Sequence, residues 1–168
     1  MADQNRFLIK ISGRSLSTKA TIELIKATHE KGKPFRFCPD GFSMSPFIEN
    51  GDVITIAPKE KIPIRYGDIA AFVNPKTERL VIHRIIAKKT NYFVPRGDNT
   101  PQEDGLIPLA NFLGRVIRVE REGRKVFFGL GIERYLIAFF SGKGILNYLR
   151  SKVTPLWKVL RPFTRRML

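Results

Sequence analysis

The sequence has a single cysteine (Cys38), one tryptophan and two histidines. One cysteine excludes an internal disulfide framework and fits a reducing compartment. Cys38 is followed by Pro39 and Asp40, with no base beside it, so it reads as a strand-end thiol and not as a nucleophile. Nowhere do about 18 or more apolar residues follow one another, so no transmembrane span is expected. Residues Met1 to Arg14 have neither an apolar core nor a small-residue cleavage site, and do not read as a secretory signal. The expected location is the cytoplasm, with peripheral contact at the inner membrane face. Acidic residues run out as well, for none follows Arg134.

What is present is basic. The 168 residues carry a net charge of +15, and 43% of them are hydrophobic, enough to bury a core. The excess is concentrated at one end, where residues 121–168 hold 11 Lys and Arg against only Glu122 and Glu133. Such a surplus suits an anionic partner and says nothing about fold.

Three textures divide the chain. Residues 1–33 read as a polar lead-in followed by a helix. Ser17 or Thr18 would cap that helix, Ile22, Leu24 and Ile25 would give it an apolar side, and Lys31-Gly32 would stop it near Glu30. Residues 34–128 turn to short β runs broken by Gly, Asp, Asn and Pro. Strands are expected at 35–38, 53–57, 69–73, 80–87, 92–95, 112–120 and 125–128, with Asn74–Glu78 as a hairpin turn. No ten-residue helical pattern separates these runs, so the expected class is mainly β, a coiled antiparallel domain and not a parallel α/β sheet.

Residues 129–168 read as a basic amphipathic helical tail. Leu149, Val153, Leu156, Leu160 and Phe163 recur at spacings of three and four among Arg150, Lys152, Lys158, Arg161 and Arg165, while Pro155 and Pro162 divide the segment. With Trp157, this stretch suits an anionic membrane interface through residues 131–168; packing on the β domain or on a partner is the other reading. Nothing matches a nucleic-acid motif, and aromatics do not interleave with basic residues in the β region, so nucleic acid is not an expected partner.

A serine hydroxyl attacks only when a positioned base takes its proton. His29 falls at the polar end of the N-terminal helix and is expected on the surface. His83 sits within Leu80-Val81-Ile82-His83-Arg84-Ile85-Ile86, a run otherwise fit for a buried strand, where an imidazole needs a polar partner. Taken alone it reads as a structural histidine. Gly41-Phe42-Ser43-Met44-Ser45-Pro46 taken alone reads as a turn, as do Gly97-Asp98-Asn99-Thr100 and Asp104-Gly105.

In order, however, these segments resemble the signal-peptidase and SOS-repressor-type serine peptidases over about residues 34–128. Gly41 to Pro46 looks like the nucleophile box. Asn50-Gly51-Asp52-Val53-Ile54 and Tyr66-Gly67-Asp68-Ile69-Ala70-Ala71-Phe72 look like the next strands. Val81 to Ile86 resembles the base-bearing strand, Arg96-Gly97-Asp98-Asn99 through Glu103-Asp104 the acidic loop, and Leu113-Gly114-Arg115-Val116 the closing strand. Histidine before the arginine makes the chain most similar to the endoplasmic-reticulum, archaeal and sporulation branch, which uses Ser with His instead of Ser with Lys.

The resemblance implies a serine endopeptidase with Ser43 as nucleophile, His83 as general base and Asp104 as the third member, Asp98 being its rival. Gly41, Met44 and Asp98 would support the oxyanion and the surrounding loops. The implied partner is a peptide or protein substrate near the membrane, with no cofactor and no metal. The chain departs from signal peptidases in two respects. Gly41 stands where they usually carry a serine that helps form the oxyanion hole, and their N-terminal membrane anchor is not expected here. A self-cleaving regulator is disfavoured, because the residues before Ser43 contain neither Ala-Gly nor Cys-Gly. The alternative is a weakly active or inactive binding module that uses its basic tail on a membrane or another anionic partner.

Overall fold

Thr18, the first residue that the computed structural model describes, opens helix α1, and the description runs from 18 to 145. Helix α1 (Thr18–Glu30) buries Thr21, Ile22, Ile25 and His29, residues spaced along one helical face. Leu24, expected on that face, lies at its margin and is exposed. The helix stops at Gly32 (φ +65°), with the Gly32 amide donating to His29 O.

Eight strands follow: β1 (Phe35–Phe37), β2 (Val53–Pro58), β3 (Ile69–Val73), β4 (Leu80–Lys88), β5 (Tyr92–Arg96), β6 (Ile107–Pro108), β7 (Phe112–Arg121) and β8 (Arg124–Val126). A second helix, α2 (Arg134–Gly142), follows the last strand. Every expected strand is present within two residues of its expected bounds. The two-residue β6 was not foreseen, since Ile107 stands alone between Leu106 and Pro108 without an alternating pattern to announce it.

The strands form one antiparallel sheet in the order β1-β2-β7-β3-β4-β5-β6, with β8 paired to β7. The class is mainly β, as expected. Registers slip between Thr55 and Ile56, Ala71 and Phe72, and Ile85 and Ala87. Irregularities of this kind bend a strand and raise its twist, which lets the long β7 pair with β2, β3 and β8 in a curled sheet.

Alternation along β3 shows how both sheet faces are used. Ile69 and Ala71 face a core shared with Ile22, Ile25, Phe35, Ile54 and Val119. Ala70 and Phe72 face a second core with Ile85, Phe93 and Phe112. Covering both faces explains why β3 is an almost unbroken apolar run. Phe72 is fully buried and meets Phe93 edge to face at 5.6 Å, a placement of about 1.5–3 kcal/mol in transferred surface. The hairpin between β3 and β4 turns at Asn74, whose Oδ1 accepts the amides of Lys76 and Thr77.

His29 is the clearest departure from expectation. It is not a surface residue. Its ring lies under α1 with Nδ1 3.2 Å from Leu113 O and Nε2 3.3 Å from Ile56 O. Leu113 is the residue skipped where β3 and β7 slip, and Ile56 stands at the slip of β2 on β7. The imidazole, with one N–H when neutral, donates to one of these carbonyls and lies against the other. Leu149 and the other residues of the expected amphipathic tail lie outside the described residues. Among the described residues no helix is long and apolar enough to cross a membrane.

Burial pushes the His29 pKa below its ordinary value of 6.5, against the pull of the two carbonyls. The folded chain therefore binds this proton less readily than the unfolded chain does. Its contribution to stability is fully present above about pH 6.5 and is lost as the pH falls towards the lower folded value. Urea unfolding between about pH 7.5 and 5.5 should show this loss, and His29→Gln should flatten the slope.

Candidate active site

Ser43 sits in the turn between β1 and β2. Ser45 N bonds back to Phe42 O at 3.2 Å, and Phe47 N and Ile48 N bond to Met44 O at 3.0 and 3.1 Å. The Met44 side chain is buried in the first core and anchors the turn there, which leaves Ser43 at the edge of an open cleft. Gly41 has φ +121°, a conformation that side-chain-bearing residues adopt only with strain. Serine at that position would be strained although space is open around it. The departure at Gly41 is thus built into the backbone path.

The acidic loop after β5 grips this turn from the other side. Asn99 N donates to Ser43 O at 2.7 Å and Asn99 Nδ2 to Phe42 O at 2.8 Å. Arg96 steadies the loop by donating to Thr100 O and Pro101 O at 3.2 and 2.7 Å. Asp104 N returns to Pro95 O at 3.0 Å, so the end of the loop lies back against β5.

His83 and Arg84 are neighbours on β4 and point to opposite sides, and each takes one carboxylate from the acidic loop. His83 Nδ1 is 2.6 Å from Asp104 Oδ2. A carboxylate accepts, so Nδ1 donates and Nε2 is left as the ring's acceptor. Arg84 has no exposed surface and forks onto Asp98 with bonds of 2.8 to 3.0 Å. Its Nη1 also reaches Gly67 O and Gly129 O at 3.0 and 2.9 Å. Burial pushes the Asp98 carboxyl above the usual carboxylate range, while the charge and hydrogen bonds of Arg84 pull it back.

Gly97 closes the arrangement. A Cβ there would stand 2.7 Å from Ser43 O and 2.9 Å from His83 Nε2. The serine turn and the free ring nitrogen therefore approach the same point, one that only glycine vacates. Ser43, His83 and Asp104 line one cleft of about 400 Å³, walled by Phe37, Cys38, Ile82 and, from α1, Thr18 and Thr21.

Of the six expected site residues, five gather at this cleft: Ser43, His83, Asp104, Gly41 and Met44. Asp98 stands apart from it in the buried pair with Arg84. Three contributions were not foreseen. The resemblance places Gly97 and Asn99 in the acidic loop but gives them no part in holding the serine turn, and nothing in α1 announces that it walls the cleft. Among the described residues no group of three or more His, Cys, Asp or Glu side chains could hold a metal ion. No family model matches the sequence, and no curated protein matches it.

The two carboxylates should differ sharply when removed. Asp98→Ala leaves a buried guanidinium unpaired and should cost about 3–5 kcal/mol. Asp104→Asn keeps an acceptor for Nδ1 in a partly open setting and should cost about 1 kcal/mol or less. Urea unfolding of the two variants measures the contrast.

Proposed function

We propose that this protein is a serine endopeptidase with the fold and chemistry of the signal-peptidase and SOS-repressor kind. The observation that carries the reading is the imidazole of His83. Its Nδ1 is held by Asp104, and its Nε2 approaches the Ser43 turn over the hydrogen face of Gly97.

In this reading His83 Nε2 takes the Ser43 proton as the hydroxyl attacks an amide carbonyl, and then gives it to the leaving amine. Asp104 holds the ring in the required tautomer and stabilises the imidazolium that forms. Water hydrolyses the resulting acyl-enzyme, again with His83 as base. The Ser43 backbone amide is the donor assigned to the oxyanion, and Gly41 supplies no side-chain hydroxyl as a second donor.

The substrate is an extended peptide. Leu80 to His83 pair with β3 along one edge, while β5 takes up the other edge only from Arg84 onward. Leu80–His83 also line the cleft. An edge of this kind accepts a peptide as an added strand and passes its carbonyls towards Ser43.

A fluorophosphonate, which phosphonylates activated serines with loss of fluoride, tests the reading. The adduct should map to Ser43 and vanish in Ser43→Ala and His83→Ala, both still folded. Labelling that persists without His83, or that maps elsewhere, refutes the mechanism. Asp104→Asn should slow turnover by about 10²–10⁴-fold and Asp98→Asn by less; the reverse order would reassign the third member. Gly97→Ala should slow labelling by about ten-fold or more, since its methyl would push the serine turn and the imidazole apart.

A further inference from the structure

The second helix is apolar where it should be polar. Its inner side buries Ile137, Ala138 and Ser141 against the sheet. Its outer side carries Tyr135, Leu136, Phe139 and Phe140, which fall on one face together with Ile132 one turn earlier. Ile132 is 85% exposed and Phe127, on the approach to the helix, is 70% exposed; Phe128 is exposed beside it. A monomer in water rarely leaves so many large apolar side chains uncovered within one short stretch.

The charges around this face are mostly positive, with Glu122 the exposed acid among them. Arg124, Lys125 and Lys143 are exposed, with Lys125 Nζ 4.6 Å from the centre of the Phe127 ring. Glu133, part-buried at the start of the helix, accepts the amides of Gly129 and Gly131 through Oε1 at 2.7 and 2.9 Å. The chain continues from this face for residues 146–168, which contain six Lys and Arg and no acid.

We propose that the outer face of α2, with Phe127, Phe128 and Ile132, is a docking surface for an anionic lipid bilayer. Aromatic and aliphatic side chains enter the interface while the flanking Lys and Arg meet lipid phosphates. Charge decides against the other two occupants. A second copy placed by two-fold symmetry would set one net positive face against another. Residues 146–168 folded back would do the same. The docking stands apart from the peptidase reading, because none of these residues belongs to the cleft.

Full-length protein is sedimented with vesicles of phosphatidylcholine, with and without about 30 mol% phosphatidylglycerol. The anionic vesicles should take up about ten-fold more protein, and about 0.5 M salt should release much of it. Phe139→Ser combined with Phe140→Ser should lower uptake by about ten-fold while a cooperative thermal transition remains. Lys125→Gln with Lys143→Gln, both at exposed positions, should lower uptake on anionic vesicles alone. Equal uptake on both vesicle types overturns the proposal. So does uptake that the folded Phe variant leaves unchanged, or a lipid-free dimer that this variant dissolves.

Discussion

Arg84 is the constraint on which the site depends. A guanidinium with no exposed surface must have its hydrogen bonds satisfied by protein, and this one binds Asp98 of the acidic loop, Gly67 before β3 and Gly129 before α2. Three segments far apart in sequence are therefore fixed to one strand. Because the acidic loop is held there, Asn99 can grip the serine turn, and Asp104 meets the residue next to Arg84.

The strand divides this anchor into two settings by its period of two. His83 and Arg84 are adjacent, so they face opposite sides and need different carboxylates. The fully buried side receives the guanidinium and Asp98, where an ion pair is kept by geometry and not by any net gain from burial. The side on the cleft receives the imidazole and Asp104, which retain some exposure. The same loop thus supplies a brace and an orienting acid, and exchanging the two would place a buried charge without a partner.

His29 shows why a histidine's surroundings are hard to read from its neighbours in sequence. Its local setting, beside Thr28 and Glu30 at a helix end, is polar. Its actual neighbours are carbonyls of β2 and β7, at two separate irregularities in strand pairing. Gly97 and Asn99 were obscure for a related reason. Their turn chemistry is visible in the sequence, but the loop that they approach lies more than fifty residues away along the chain.

Alternation of apolar and polar residues and the placing of Gly, Asn and Pro sufficed to determine the β class, the position of every strand longer than two residues, and the first helix. These are local consequences of side-chain period and turn conformation. The order of motifs singled out Ser43, His83 and Asp104. Which carboxylate meets the imidazole, that α1 walls the cleft, and that an apolar helix face is left open to solvent were decided by the tertiary structure. Those outcomes depend on which distant groups the curled sheet brings together, and no local pattern encodes a distance across a sheet.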